Sequence, residues 1–191
     1  MTYPPLKRVF DVAVALTAGI LLLPVFVVIA VVIKMTSRGP VLHWSKRVGI
    51  GNGTFMMAKF RTMRVETPQL ATHLMTDPES FATPAGRLLR KLSFDELPQL
   101  INILRGDISF VGPRPALYNQ HDLVALRTHR GVHTVIPGLT GWAQVNGRDE
   151  LPIRAKVDHD AYYLHHRSFT LDLRILFLTV FSVARLRGVA H

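Results

Sequence analysis

Apolar positions are unevenly spread along this chain, and their spacing outlines its elements. From Val12 to Ile33 no charged residue occurs and Val, Leu, Ile and Ala dominate, a length that suits a membrane-spanning helix. A cleaved signal peptide fits less well, because no small-residue cleavage site follows the apolar stretch. Two details argue against a straight span. Pro24 lies near the middle, where it should kink the helix. Lys7 and Arg8 before the stretch are matched by Lys34 and Arg38 after it, so the positive-inside rule gives no direction. Both fit a re-entrant hairpin that enters and leaves on the cytoplasmic side; a span kinked at Pro24 is the alternative.

After the turn at Ser37-Arg38-Gly39-Pro40, the segment from Val41 to Phe60 carries Gly49, Gly51 and Gly53 amid basic residues and predicts a short hairpin. Its Gly-Ile-Gly-Asn-Gly run lacks the lysine-serine ending of a phosphate loop and is a turn. Arg64 to Gly86 is polar and proline-containing, a loop in which His73 stands without a partner. Leu97, Leu100, Ile101 and Leu104 then fall on one helical face that Gly106 stops. Ser93 and Glu96 read as a capping box, but that start would place Pro98 in the fifth helical position, where its ring clashes. A start at Asp95 puts Pro98 in the first turn and is preferred. Further on, Leu117 to Arg130 predicts a helix with an uneven apolar face. Pro137 to Arg148 alternates as a strand does, with Gln144, Asn146 and Arg148 on one side. Phe169 to Arg187 is strongly apolar, with Arg174, Arg185 and Arg187 as its cations. It predicts an amphipathic helix lying among lipid headgroups, with a core helix as the alternative.

Composition narrows the picture without deciding it. At 191 residues the chain is long enough for one domain with a real core. A net charge of +10 favours an anionic partner, whether nucleic acid, anionic lipid or a phosphorylated substrate. The absence of cysteine removes disulfide and thiolate chemistry. Asp158-His159-Asp160 superficially matches an Asp-X-Asp metal motif, but no Rossmann-type strand precedes it. His159, His165 and His166 likewise lack companions that would complete a metal site.

The candidate chemistry lies where the helix with the acidic start meets arginines. Asp95 and Glu96 stand adjacent at its positive end, just after Arg90 and Lys91, a place that holds ionised carboxylates and favours phosphate. The plainer reading is that both are merely good helix-start residues. Arg114 is stiffened by Pro113 and Pro115, and its guanidinium suits bidentate phosphate contact. Lys59 and Arg61 flank Phe60 on a predicted strand, so alternation sends both cations to one face.

Ser93-Phe94-Asp95-Glu96-Leu97-Pro98-Gln99-Leu100 followed by Val111-Gly112-Pro113-Arg114-Pro115 resembles the core of the bacterial sugar transferase family. These are the monotopic phosphoglycosyl transferases that begin glycan assembly on polyprenyl phosphate. The likeness continues at Lys7 to Asp11, Lys59 to Met63 and Pro137 to Arg148, and covers nearly the whole chain. Ser45 departs from the pattern, which usually has glutamine there. The fold class expected is α/β, mostly helical with small sheet content. Residues 1–36 would form a re-entrant anchor and 37–191 a catalytic domain including an interfacial helix at 169–187. The resemblance, with the acidic pair and its flanking cations, implies transfer of a sugar-1-phosphate from a UDP-sugar to polyprenyl (undecaprenyl) phosphate. Asp95 would be the nucleophile, forming a covalent intermediate and releasing UMP, and Glu96, with Asp95, would hold Mg²⁺. Lys59, Arg61, Arg90, Arg114, Gln144, Asn146 and Arg148 would bind substrate, while Asp160 before Tyr162 and Tyr163 would be structural. The expected location is the cytoplasmic face of a bacterial inner membrane, with anionic lipids as partners and no nucleic acid. The competing readings are a basic membrane-tethered nucleic-acid binder and a non-catalytic adaptor. The scattered cations and the lack of a recognised binding module count against the first.

Overall fold

The computed structural model describes residues 5–67, 80–147 and 151–184. The apolar N-terminal stretch forms two helices, α1 (Pro5–Leu21) and α2 (Leu23–Thr36), bent by 61° at Leu22. Pro24 occupies the first turn of α2, where it cannot donate to the carbonyl of Ile20, while the Phe26 amide still bonds to Leu22 at 2.9 Å. No single helix is long and apolar enough to cross a membrane among the described residues; the bent pair passes that test only together. Their apolar surface is turned outward: Ile20, Leu21, Leu23, Val28 and Met35 are all exposed.

The helix begins earlier than the apolar run, so Lys7, Arg8 and Asp11 lie inside α1 and turn toward the protein. Asp11 is buried, and Arg8 donates to the carbonyls of Ile103 (2.5 Å) and Leu104 (2.8 Å). Lys7 pairs with the buried Asp172 and donates to the Val111 carbonyl at 3.0 Å. The basic residues that flank the start of the apolar stretch thus bind the domain behind it.

Two small sheets follow from the glycine pattern. Strands β1 (Leu42–Val48) and β2 (Thr54–Phe60) pair antiparallel across the glycine turn, with His43 opposite Lys59 and Arg47 opposite Phe55. Residues 116–118 pair with the outer edge of β1, through Val48 N to Ala116 O at 2.9 Å. Helix α5 (His121–His129) therefore starts later than Leu117, whose segment is taken by the sheet. Strands β3 (Ser109–Val111) and β4 (Gly138–Thr140) form a parallel pair. The helices α3 (Pro84–Lys91), α4 (Leu100–Arg105), α6 (Trp142–Val145), α7 (Ile153–His166) and α8 (Phe169–Ala184) complete the fold, which is mostly helical as expected.

The stretch before α4 differs in detail from the expected helix. Ser93 adopts a left-handed conformation (φ 58°) and its side chain caps nothing, so no capping box forms. Phe94–Gln99 then winds as a 3-10 turn around Pro98, and α-helical bonding begins only at Leu100. Gly106 ends α4 at φ 90°, the left-handed stop that glycine permits. Helix α8 buries Asp172 and Ile175 against the domain and exposes Phe169, Leu173, Phe177, Val180 and Phe181 on its outer side. Arg174 stacks over the Trp142 ring at 5.7 Å, while Arg185 and Arg187 lie outside the described residues.

The hairpin and α4 are joined by one buried side chain. Asn102 accepts from Ala58 N at 2.9 Å and donates to Met56 O and Asp107 Oδ2, both at 2.8 Å. Replacing it with leucine keeps the volume but leaves a strand amide and a carbonyl without partners, each worth about 1–3 kcal/mol when buried. Asn102→Leu is expected to lower the unfolding free energy by about 3 kcal/mol in a denaturant titration. A midpoint equal to that of the parent would refute the clamp.

Candidate active site

The acidic pair and the cations converge as follows. The 3-10 turn packs on β2 and brings Asp95 and Glu96 beside Lys59. Lys59 Nζ sits 2.8 Å from Glu96 Oε1 and 3.8 Å from Asp95 Oδ2. From the other side Arg114 reaches Glu96, with NH2 at 2.5 Å from Oε1 and NH1 at 3.5 Å from Oε2. The cations and carboxylates thus come from a strand, a tight turn and a proline-bounded segment that are far apart in sequence.

The two carboxylates are in different electrostatic states. Burial alone would raise the pKa of Glu96, but the charges and hydrogen bonds of Arg114 and Lys59 outweigh it and hold the group well below the usual carboxylate range. Asp95 is pushed the other way. Burial raises its pKa, Lys59 partly offsets this, and the neighbouring Glu96 charge adds to the rise. Among the described residues Asp95 accepts no hydrogen bond; Glu96 has taken the nearest donors. Arg90 is near enough to favour the Asp95 anion. His43, exposed at the surface across the ladder from Lys59, has its pKa lowered by partial desolvation and by the charges of Lys59 and Arg47.

Other predicted site residues lie elsewhere. Arg61 follows the end of β2 and is buried, donating to the carbonyls of Arg38 and Ser37 and to Ser37 Oγ. It ties the exit of α2 to the hairpin rather than joining Lys59, because the strand alternation ends at Phe60. Gln144 and Asn146 do not share a strand face: the strand stops at Thr140 and Gln144 is in α6. The Gln144 amide is buried without a partner among the described residues, and Asn146 Nδ2 caps the Trp142 carbonyl at 2.8 Å. Arg148 and His73 lie outside the described residues. Asp160 is buried against Arg127, while Asp158 pairs with Arg130 at the surface, so the Asp-X-Asp run is dispersed.

Two arginines beside the site were not among the predicted residues. Arg47 donates to Ser45 Oγ (3.0 Å) and to Pro115 O (3.2 Å). Arg127 donates to Arg114 O at 2.8 Å. Alternation along β1 would have put Arg47 on the Lys59 face; nothing local in α5 distinguishes Arg127.

Comparison with known proteins fits this arrangement. The profile of the family described as bacterial sugar transferase matches residues 2–186. The chain belongs to that family. A protein of Bacillus subtilis (strain 168) described as uncharacterized sugar transferase EpsL is 44% identical over 188 residues, covering 96% of this chain and 90% of that protein. The UDP-N-acetylgalactosamine-undecaprenyl-phosphate N-acetylgalactosaminephosphotransferase of Aeromonas hydrophila is 38% identical over 95% of this chain, which spans 44% of that longer relative. The UDP-glucose:undecaprenyl-phosphate glucose-1-phosphate transferase of Xanthomonas campestris pv. campestris is 40% identical over 93% of this chain and 38% of the relative. The blocks Ser93 to Leu100 and Val111 to Pro115, on which the resemblance rests, meet in space where Arg114 contacts Glu96.

The state of Glu96 makes a stability prediction. A group whose folded pKa is depressed contributes stability above its unfolded value and loses it as pH falls toward the folded one. Glu96→Gln is expected to lower stability by about 2 kcal/mol at pH 7, since two half-buried cations lose their shared anion. The difference from the parent should begin to shrink as pH drops below the ordinary glutamate value of 4.5. Thermal melts of both proteins from pH 7 to about pH 3 read this directly. A gap that stayed constant over the range would count against the ion-paired Glu96.

Proposed function

We propose that this transferase moves a sugar-1-phosphate from a UDP-sugar to polyprenyl phosphate at a membrane surface, through a covalent phosphosugar-aspartyl intermediate, an acyl phosphate of Asp95. The observation that carries the proposal is the division within the acidic pair. Glu96 is locked by Lys59 and Arg114, whereas the Asp95 carboxylate, beside the same cations, accepts no hydrogen bond among the described residues. One Asp95 oxygen would attack the β-phosphorus that carries the sugar. The bond from that phosphorus to the bridging oxygen breaks, and its electron pair leaves with UMP. A polyprenyl phosphate oxygen then attacks the same phosphorus, and the bond to Asp95 breaks to restore the carboxylate. Such a double displacement is ping-pong. Arg114, Lys59 and Arg90 would offset the charge of the pyrophosphate, which otherwise repels an incoming carboxylate.

The residues fit Mg²⁺ as the family resemblance implies. Mg²⁺ is held by one or two carboxylates together with substrate phosphates and water. Asp95 and Glu96 are two adjacent carboxylates of that kind; Glu96 would have to give up part of its contact with Lys59 or Arg114 to serve, and among the described residues no group of three or more His, Asp or Glu is placed to hold a metal ion. Bound there, the ion would supply further charge neutralisation to the pyrophosphate.

The bent pair supports seating at a membrane. Helix α2 has 14 residues, about 21 Å at 1.5 Å per residue, short of the about 30 Å hydrocarbon core. A re-entrant α1–α2 anchor with the apolar outer side of α8 at the interface would hold Asp95 near the headgroups, on the cytoplasmic face. Polyprenyl phosphate keeps its phosphate at that level.

Two experiments test this reading. Incubation with a UDP-sugar labelled in the sugar, without acceptor, should leave label on the protein and release one UMP per site. Asp95→Asn should do neither while melting as the parent does; a folded Asn variant that turns over at a near-normal rate ends the proposal. For topology, single cysteines at Thr2 and Ser80, placed in a chain that has none, are probed in intact cells. Neither should react with a membrane-impermeant thiol reagent. Labelling at Thr2 from outside but not at Ser80 would show a straight span instead.

A further inference from the structure

The segment that carries Arg114 is held more fully than a connecting loop requires. Four successive carbonyls are occupied. Pro113 O accepts from Gly138 N (2.9 Å), Arg114 O from Arg127 (2.8 Å), Pro115 O from Arg47 (3.2 Å) and Ala116 O from Val48 N (2.9 Å). Two of the four donors are guanidinium groups, drawn from different elements, β1 and α5, onto adjacent peptide units. Each is anchored in turn. Arg127 is buried, with Nε and NH2 at 2.9 and 2.6 Å from Asp160 Oδ2. Arg47 Nε rests on the buried Ser45 hydroxyl at 3.0 Å. The flanking rings fix φ at Pro113 and Pro115, and Pro115 also restricts Arg114 to extended conformations. Gly112 completes the seat, since a Cβ there would lie 2.5 Å from Ile136 O.

A neutral amide could have satisfied either carbonyl, so the use of two anchored cations calls for a reason beyond hydrogen-bond bookkeeping. The reason lies in what Arg114 must do. A long side chain gives up rotamer freedom when it holds one geometry, and an error of about 1 Å in a group facing a reacting phosphate can cost on the order of a hundredfold in rate. Fixing the backbone on both sides of Cα removes one source of that error before substrate arrives.

We infer that Arg127, clamped by Asp160, and Arg47, clamped by Ser45, are positioning residues that act on transfer through Arg114. This rests on the phosphate role of Arg114 proposed above, and the test separates the two. Arg47→Gln and Arg127→Lys are made singly and in an Arg114→Ala background, with kcat and KM for the UDP-sugar followed by radiolabelled substrate so that slow backgrounds stay measurable. Arg127→Lys retains a cation for Asp160 but cannot span both Asp160 and the Arg114 carbonyl; Arg47→Gln alters a half-buried group and serves if the lysine variant fails to fold. Each single change should lower kcat/KM about tenfold with folding intact by melting. In the Arg114→Ala background the same changes should alter kcat/KM less than about twofold, because the group they position is gone. Losses that persist undiminished without Arg114, or single variants at the parent rate, overturn the positioning role while leaving the proposed function standing. Full activity of Arg114→Ala by itself would remove the phosphate role of Arg114, and the brace with it.

Discussion

A single primary amide keeps the working parts of this protein in register. Asn102 offers its oxygen to Ala58 N and its nitrogen to Met56 O, as the peptide of a neighbouring strand would. The free edge of β2 is thereby satisfied by a helix, and a two-stranded hairpin that would be marginal alone gains a third partner. Lys59 is the next residue along that strand, and the acidic pair lies on the turn leading into the helix that carries Asn102. The distance between cation and carboxylates is therefore set by a buried contact rather than by the exposed groups themselves. An amide at this place satisfies both backbone polarities at once, which no apolar or singly polar side chain can do.

With that frame fixed, the electrostatics follow from arithmetic. Lys59 and Arg114 converge on the site, and one carboxylate, Glu96, takes close contacts from both. Asp95 is left with the long-range benefit of the same charges and the desolvation of a buried site, and among the described residues no hydrogen bond ties up its carboxylate oxygens. Two chemically similar carboxyl groups, adjacent in sequence, are driven in opposite directions by their surroundings. The pattern of pushing paired titratable groups apart is the one by which proteins assign different tasks to like side chains.

Local features were legible in the sequence; long-range ones were not. The hairpin showed through because glycine spacing and alternation are properties of neighbours. Gly106 showed through because a left-handed stop is a demand that few residues meet. Pro98 correctly ruled out a regular helix from Ser93, yet the chain resolved the conflict with a 3-10 turn and postponed α-helical bonding to Leu100. Alternation misled at Gln144 and Asn146, where four residues of α6 are too few to separate a period of 2 from one of 3.6. Lys7 and Arg8 looked like flanks of a membrane segment because their partners are 165 and 95 residues away. The Arg127–Asp160 pair spans 33 residues with no local trace in either helix. The resemblance to a family named the acidic pair and Arg114, but no motif named the arginines behind them.

The contact of Lys7 with Asp172 has a consequence for how the molecule is made. Synthesis runs from α1 toward α8, so the ammonium group of the anchor emerges 165 residues before its carboxylate. Val111, which also receives that ammonium, is 104 residues downstream. Order of manufacture and order of closure are thus opposed, and the apolar helix pair is complete long before the domain can grip it. Loops of this size close slowly compared with helix formation. A nascent chain halted before α8 would hold the bent pair through the Arg8 and Val111 contacts, without the carboxylate that meets Lys7 in the finished protein.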